Sequence, residues 1–241
     1  MNKMFPRGIL FDLDDTIIAY SANSKTIWKQ VCEEFSAEND RLEPESLYLK
    51  IREVSNWYWD DPERHRTGRS DLNRARRVIL EMVFNKLGVD DIPLAYKIGE
   101  TFQKRKEEGL FLFEGAIETL EYLVENNVAL AMMTNGETVK QREKIARFGL
   151  ERYFRVILIE GEQGFGKPDD RVFKKAIEAL DLGPGDCWAV GDNLEWDVEG
   201  PQRMGIFGIW NDFRKMGLPA DSLVKPDRII NSIKELIEQA P

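Results

Sequence analysis

Asp12, Asp14 and Asp15 close the run Gly8-Ile9-Leu10-Phe11-Asp12-Leu13-Asp14-Asp15-Thr16, so three carboxylates crowd into four positions directly after a short apolar segment. Such a segment reads as a buried strand of a parallel sheet. The acids then fall at its carboxyl end, where open α/β sheets hold their ligands. In extended backbone, residues two apart share a face, so Asp12 and Asp14 are expected to converge while Asp15 points away. Two carboxylates ~4 Å apart repel by about 4 kcal/mol at an effective dielectric of ~20, and such a pair asks for a cation or a shared proton. Taken alone, the same acids read as solvated groups capping the next element.

A second cluster of the same construction lies far down the chain. Asp186-Cys187-Trp188-Ala189-Val190-Gly191-Asp192 is again an apolar run ending in an acid, and Asp197 follows. Between the two clusters are two further strand ends that carry polar groups. Val128-Ala129-Leu130-Ala131-Met132-Met133 runs into Thr134-Asn135-Gly136, and Lys167-Pro168 follows Val156-Ile157-Leu158-Ile159 after a Gly-rich loop. Carboxylates, a hydroxyl, an amide and an ammonium at four strand ends describe a divalent-cation site beside an anion site. Hard oxygen donors suit Mg²⁺, and no His or Cys stands at these strand ends to recruit zinc.

The set Asp12-x-Asp14-x-Thr16, Thr134-Asn135, Lys167-Pro168 and Gly191-Asp192 with Asp197 resembles the four motifs of the haloacid dehalogenase superfamily, in the family's order. The resemblance covers nearly the whole chain except residues about 20 to 108. Within the superfamily the second half is similar to N-acylneuraminate-9-phosphatases. The stretches that carry this are Thr134-Asn135-Gly136, Gln141-Arg142-Glu143-Lys144-Ile145, Gly161-Glu162-Gln163, Pro184-Gly185-Asp186-Cys187 and Leu194-Glu195. The resemblance implies an Mg²⁺-dependent phosphatase acting on a small phosphate monoester through an aspartyl-phosphate. It assigns Asp12 as nucleophile and metal ligand. Asp14 becomes general acid and base, with its main-chain carbonyl on the metal. The spacing pairs the two acids; only the family says which one attacks.

The remaining roles follow from side-chain chemistry in that context. Thr134 and the Asn135 amide suit phosphoryl oxygens because they donate without adding charge. Lys167 supplies positive charge, and Pro168 behind it suits the first turn of a helix. Asp192 is expected to bind the metal directly, with Asp197 fixing Lys167 or a metal-bound water.

Strand and helix signals alternate from Gly115 onward, with helices at 115–126, 137–148, 169–180 and 196–204 and strands at 128–133, 155–159, 187–191 and 206–210. A short strand at 227–230 precedes a terminal helix. This alternation predicts a Rossmann-like α/β fold, a parallel sheet with helices on both faces. The intervening stretch is helical near 23–37, 44–60, 71–88 and 93–108. The expected organisation is therefore an α/β core of residues 1–19 and 109–241 with an all-helical cap, residues 20–108, inserted after the first strand. In that insert, Arg64, Arg66 and Arg69 are expected in a loop, as candidates to clamp a second anion of the substrate, against the alternative of a plain charged surface.

Composition narrows the partners. A net charge of −9 over 241 residues argues against nucleic acid or an anionic membrane, and no stretch approaches the ~20 apolar residues of a membrane span. The N-terminus has no long apolar region, so a cytoplasmic location is expected. Cys32 and Cys187 read as small buried hydrophobes. Retention of Asp14 sets the chain apart from strict dehalogenases and phosphonatases. A phosphoglucomutase-type phosphotransferase or a nucleotidase shares all four motifs, and a non-catalytic binding protein is the alternative from another class. Oligomeric state and the physiological substrate, whether a sugar phosphate or a nucleotide, are not written in any motif.

Overall fold

A computed structural model describes residues Phe5 to Glu238. The chain divides into two compact units, one built from the chain up to Ala19 and from Phe111 onward, the other from Tyr20 to Leu110.

The first unit is organised on β1 (Gly8–Phe11), four residues that are all buried. The chain then passes through β2 (Ile18–Ala19), which pairs antiparallel with β3 (Phe111–Leu112) where the chain re-enters the unit. This ribbon was not expected; strands of two residues carry no readable periodicity. β4 (Ala129–Thr134), β5 (Val156–Ile159), β6 (Cys187–Gly191), β7 (Phe207–Asn211) and β8 (Arg228–Ile230) complete a six-stranded sheet in the order β5-β4-β1-β6-β7-β8. Every pairing in it is parallel. β1 sits centrally, with β4 on one side and β6 on the other. The strand order therefore reverses beside β1, and the carboxyl end of β1 opens into a crevice.

Helices cross between the strands: α6 (Ala116–Glu125), α7 (Thr138–Arg147), α8 (Glu160–Gln163), α9 (Asp170–Leu180), α10 (Gly200–Gln202) and the terminal α11 (Glu235–Glu238), numbered after the five of the second unit given below. α9 packs Val172, Phe173, Ala176, Ile177 and Leu180 against Leu10, Ala131, Met133 and Leu158 of the sheet. Its N-cap is Asp169, whose carboxylate accepts from the Arg171 N–H, so Pro168 lies outside the helix rather than in its first turn. The expected helix at 196–204 is also different. Leu194–Glu199 winds as a π-helix and passes into α10. Pro201 has no N–H to offer the carbonyl of Asp197, which loosens the regular ladder upstream.

The second unit is five helices: α1 (Ser24–Ala37), α2 (Pro44–Trp59), α3 (Pro62–Gly68), α4 (Leu72–Leu87) and α5 (Ile92–Glu108). Carboxylates cap four of them. Glu43, Asp61, Asp71 and Asp91 each accept from main-chain N–H groups of the first turn. Gly88 ends α4 at φ +69°, a left-handed conformation that suits glycine. Val31, Leu47, Ile51, Val83, Phe84 and Ile98 form its core, and Trp28 stacks on Phe102 at 3.8 Å. Among the described residues no helix is long and apolar enough to cross a membrane.

α3 corrects the expected loop. Asp61 and Pro62 start a short helix that carries Arg64 and Arg66, and Arg69 is its C-cap. Arg64 is committed locally. Its guanidinium lies 3.9 Å from the Trp57 ring centre, donates to the carbonyls of Trp57 and Tyr58, and pairs with Asp61 at 3.6 Å. Arg66 is exposed and Arg69 half-buried.

Candidate active site

Asp12 extends β1 by one residue, its N–H donating to the Val190 carbonyl at 2.9 Å. Beyond it the chain leaves extended geometry. The N–H groups of Ile17 and Ile18 turn back to the Leu13 carbonyl at 3.0 Å, and Asp15 is left-handed at φ 62°. The strand rule for side-chain faces therefore stops at Asp12, and Asp15 does not point away. It is buried and pairs with Arg214 at 3.6 Å, and its charge reaches Asp192.

The Asp12 carboxylate is buried and held at both oxygens. Oδ1 accepts from Lys167 Nζ at 2.6 Å and Oδ2 from the Thr16 hydroxyl at 3.1 Å. Lys167, 1% exposed, gives a second bond of 2.6 Å to Oδ1 of Asp197. The other oxygen of Asp197 accepts from the Asn193 N–H at 3.0 Å, so the π-helical turn holds Asp197 in place. Asp12, Asp192 and Asp197 bring one carboxylate oxygen each to within 4.8 Å of one another. Asp14 is not in this group.

Three carboxylates clustered beside one ammonium leave an excess of negative charge, which raises the proton affinities of Asp12 and Asp192. Burial raises Asp12 to about 7, with Lys167 opposing and Asp197 and Asp14 adding to the rise. Burial, then Asp12, Asp197 and Asp15, raise Asp192 to about 9. Lys167 is driven down by burial, but Asp12 and Asp197 outweigh this and carry it above its ordinary value. An all-oxygen donor set with unbalanced charge fits a hard divalent cation, which would replace the protons that Asp12 and Asp192 otherwise hold.

Asn135 bonds to the main chain of Lys167 at both ends of its amide. Its Nδ2 donates to the Lys167 carbonyl at 2.7 Å, and its Oδ1 accepts the Lys167 N–H at 2.8 Å. The side chain clamps the main chain that carries the ammonium, because the loop from α8 to Lys167 needs its exposed peptide groups satisfied. Thr134, buried at the end of β4, accepts from Gln141 Nε2, which leaves its own O–H to donate. Asp14 turns toward α7, where Lys144 and Gln141 bind its carboxylate. Thr16, Gln141, Asn193 and Asp15 with Arg214 were given no role from the sequence. Gln141 and Lys144 stand in one of the similar stretches, but no local pattern marks the polar face of α7 as buried. Arg64, Arg66 and Arg69 belong to the helical unit, and these contacts do not include them.

Gly191 makes the cluster possible. A Cβ there would fall 2.2 Å from Cγ of Asp197, so the strand end has no room for a side chain. Gly191→Ala is expected to cost about 1–3 kcal/mol by overpacking and to displace Asp197 from Lys167. Urea denaturation beside an activity assay measures both, and a variant unchanged in each would contradict the close approach.

The profile of the haloacid dehalogenase-like hydrolases matches residues 6–205, which include all four strand-end motifs. The chain belongs to that family. Family members with curated names act on different compounds. A phosphoserine phosphatase of Thermus thermophilus is 40% identical over 110 residues, which is 45% of this chain and only 43% of that protein. A glyceraldehyde 3-phosphate phosphatase of Methanopyrus kandleri is 27% identical, with 95% of this chain and 98% of that protein covered. The N-acylneuraminate-9-phosphatase of Rattus norvegicus is 28% identical over 95% of this chain and 92% of its own length. The similarity to the neuraminate enzymes is thus matched by that to a second kind of phosphatase.

Proposed function

We propose that this protein is an Mg²⁺-dependent phosphatase that hydrolyses a small phosphate monoester through a phosphorylated Asp12. The observation that carries the reading is the seat of Asp12. Its carboxylate stands at the central strand end with Lys167 at 2.6 Å and with a carboxylate group suited to a divalent cation beside it. An anionic nucleophile attacking a phosphate dianion needs such positive charge around it. All three named relatives are phosphatases, which supports the reaction class.

Asp12 attacks phosphorus and forms the acyl phosphate as the ester oxygen departs with a proton from Asp14. A water then gives a proton back to Asp14 and attacks phosphorus, releasing phosphate and restoring Asp12. Thr134 and Lys167 hold phosphoryl oxygens, and Asn135 keeps Lys167 in place. When bound by Asp12, Asp192 and the Asp14 carbonyl, Mg²⁺ supplies charge stabilisation at those oxygens. Asp197 anchors Lys167. The helical unit, residues 20–110, is assigned the role of a cap that selects the substrate, and a cytoplasmic location suits a phosphorylated metabolite.

Hydrolysis of a panel of phosphometabolites and of 4-nitrophenyl phosphate, with Mg²⁺, with Ca²⁺ and with chelator, tests this directly. Mg²⁺ should support turnover and Ca²⁺ should not, because Ca²⁺ takes more ligands at longer distances. Full turnover in chelator would overturn it. Metal binding gives a second measure. Below their raised values Asp12 and Asp192 hold protons, so Mg²⁺ must displace them; affinity should rise with pH from about 7 to about 9. Calorimetry in buffers of different ionisation enthalpy should detect proton release near pH 7. Binding without proton release would contradict the site.

A further inference from the structure

α7 buries three side chains, Gln141, Lys144 and Ile145, and two of them are polar. A helix ordinarily turns apolar residues inward, and a buried ammonium is costly unless it is paired. Positions 141 and 144 lie one turn apart and share a face. Both reach Asp14. Lys144 Nζ is 2.7 Å from Oδ1 and 2.5 Å from Oδ2, and Gln141 Nε2 is 3.0 Å from Oδ2. The same Nε2 is 2.5 Å from the Thr134 hydroxyl oxygen. Donors on both carboxylate oxygens fix its rotation, and the Gln141 amide ties that orientation to the end of β4.

We infer that Lys144 and Gln141 are positioning residues that hold Asp14 and Thr134 in one working geometry. Their influence on the reaction passes through Asp14, so the inference rests on the phosphatase reading and on Asp14 as the proton donor to the leaving oxygen. Lys144 carries the larger share because it grips both oxygens. Gln141 sets the spacing between the acid and the hydroxyl at the end of β4.

The test compares kcat/KM, which reports phosphoenzyme formation, for the most active alkyl phosphate of the panel and for 4-nitrophenyl phosphate. An alkoxide needs a proton to leave; a nitrophenolate does not. Misplacing Asp14 by about an ångström is expected to lower kcat/KM for the alkyl ester about 10- to 100-fold. Lys144→Met should therefore lose that much on the alkyl ester and no more than about threefold on the aryl ester. Lys144→Arg should recover part of the loss. Asp14→Asn/Lys144→Met should be no slower than Asp14→Asn, because the two act as a unit. Lys144→Gln gives the same comparison should Lys144→Met not fold. Equal losses on both esters, or losses that add to those of Asp14→Asn, would overturn the inference and leave Lys144 a structural ion pair. A wild-type enzyme inactive on every ester in the panel would instead overturn the phosphatase reading, and the inference with it.

Discussion

Asp12→Asn should abolish turnover, with a loss on the order of 10⁴-fold or more, while the protein stays folded. The amide is nearly the size of the carboxylate; its oxygen can still accept from Lys167, and its NH2 then faces the Thr16 hydroxyl, which can turn to accept, so the local packing survives. It cannot attack phosphorus. Stability should move the other way. A buried acid raised to about 7 keeps its proton in the folded state while the unfolded chain has already lost it. The folded state then binds more protons, and stability falls as pH rises from about 4 toward 7. Without cation, Asp12→Asn removes that cost and should raise the melting temperature at pH 8. Calorimetry with and without Mg²⁺ checks this; a variant less stable than wild type in chelator at pH 8 would contradict the crowding of Asp12 with Asp192 and Asp197.

Lys167→Met should do more damage to the fold. The ammonium is the shared partner of Asp12 and Asp197, each at 2.6 Å, and all three groups are buried. Removing one partner of a buried ion pair leaves uncompensated charge, at a cost of about 3–5 kcal/mol. Asp12 holds its proton more tightly in the folded state than in the unfolded chain, and losing the opposing Lys167 charge strengthens that hold. The deficit should therefore be greatest at high pH and shrink as pH falls and Asp12 takes its proton up. Activity should fall on the order of 10³-fold or more, because the cation aimed at the phosphoryl group is gone. Urea denaturation at pH 5 and pH 8 measures the first effect. A deficit independent of pH would point to lost packing rather than lost charge compensation.

Much of this arrangement can be read in the sequence because parallel strands announce themselves. Gly8–Phe11 and Ala129–Thr134 are buried throughout, Cys187–Gly191 at all but Trp188, and each runs straight into its polar residues. Asp12, Thr134 and Asp192 lie at the ends of such runs or one residue beyond, while Lys167 and Asp197 follow β5 and β6 after a further turn of chain. What was missed depends on contacts between elements. The bonds from Gln141 and Lys144 to Asp14 span 127 and 130 residues, and no local pattern marks a polar helix face as buried. The Asn135 clamp on Lys167 spans 32 residues and involves a side chain whose type also suits a phosphate. Asp15 escapes the strand rule because extended backbone ends at Asp12, three residues before it. α3 was overlooked because its seven residues are too few for an apolar stripe, although Asp61-Pro62 is a legitimate start signal.

The central claim is that Asp12 becomes phosphorylated, and trapping that species tests it most directly. Wild-type protein mixed with a substrate labelled in its phosphate and with Mg²⁺ is quenched in acid within milliseconds, then reduced with borohydride. Peptide mapping then locates the modified residue. An acyl phosphate at Asp12 should appear as homoserine at position 12, should need Mg²⁺, and should vanish in Asp12→Asn. Turnover without any covalent phosphate, or phosphate found on another residue, would contradict the account.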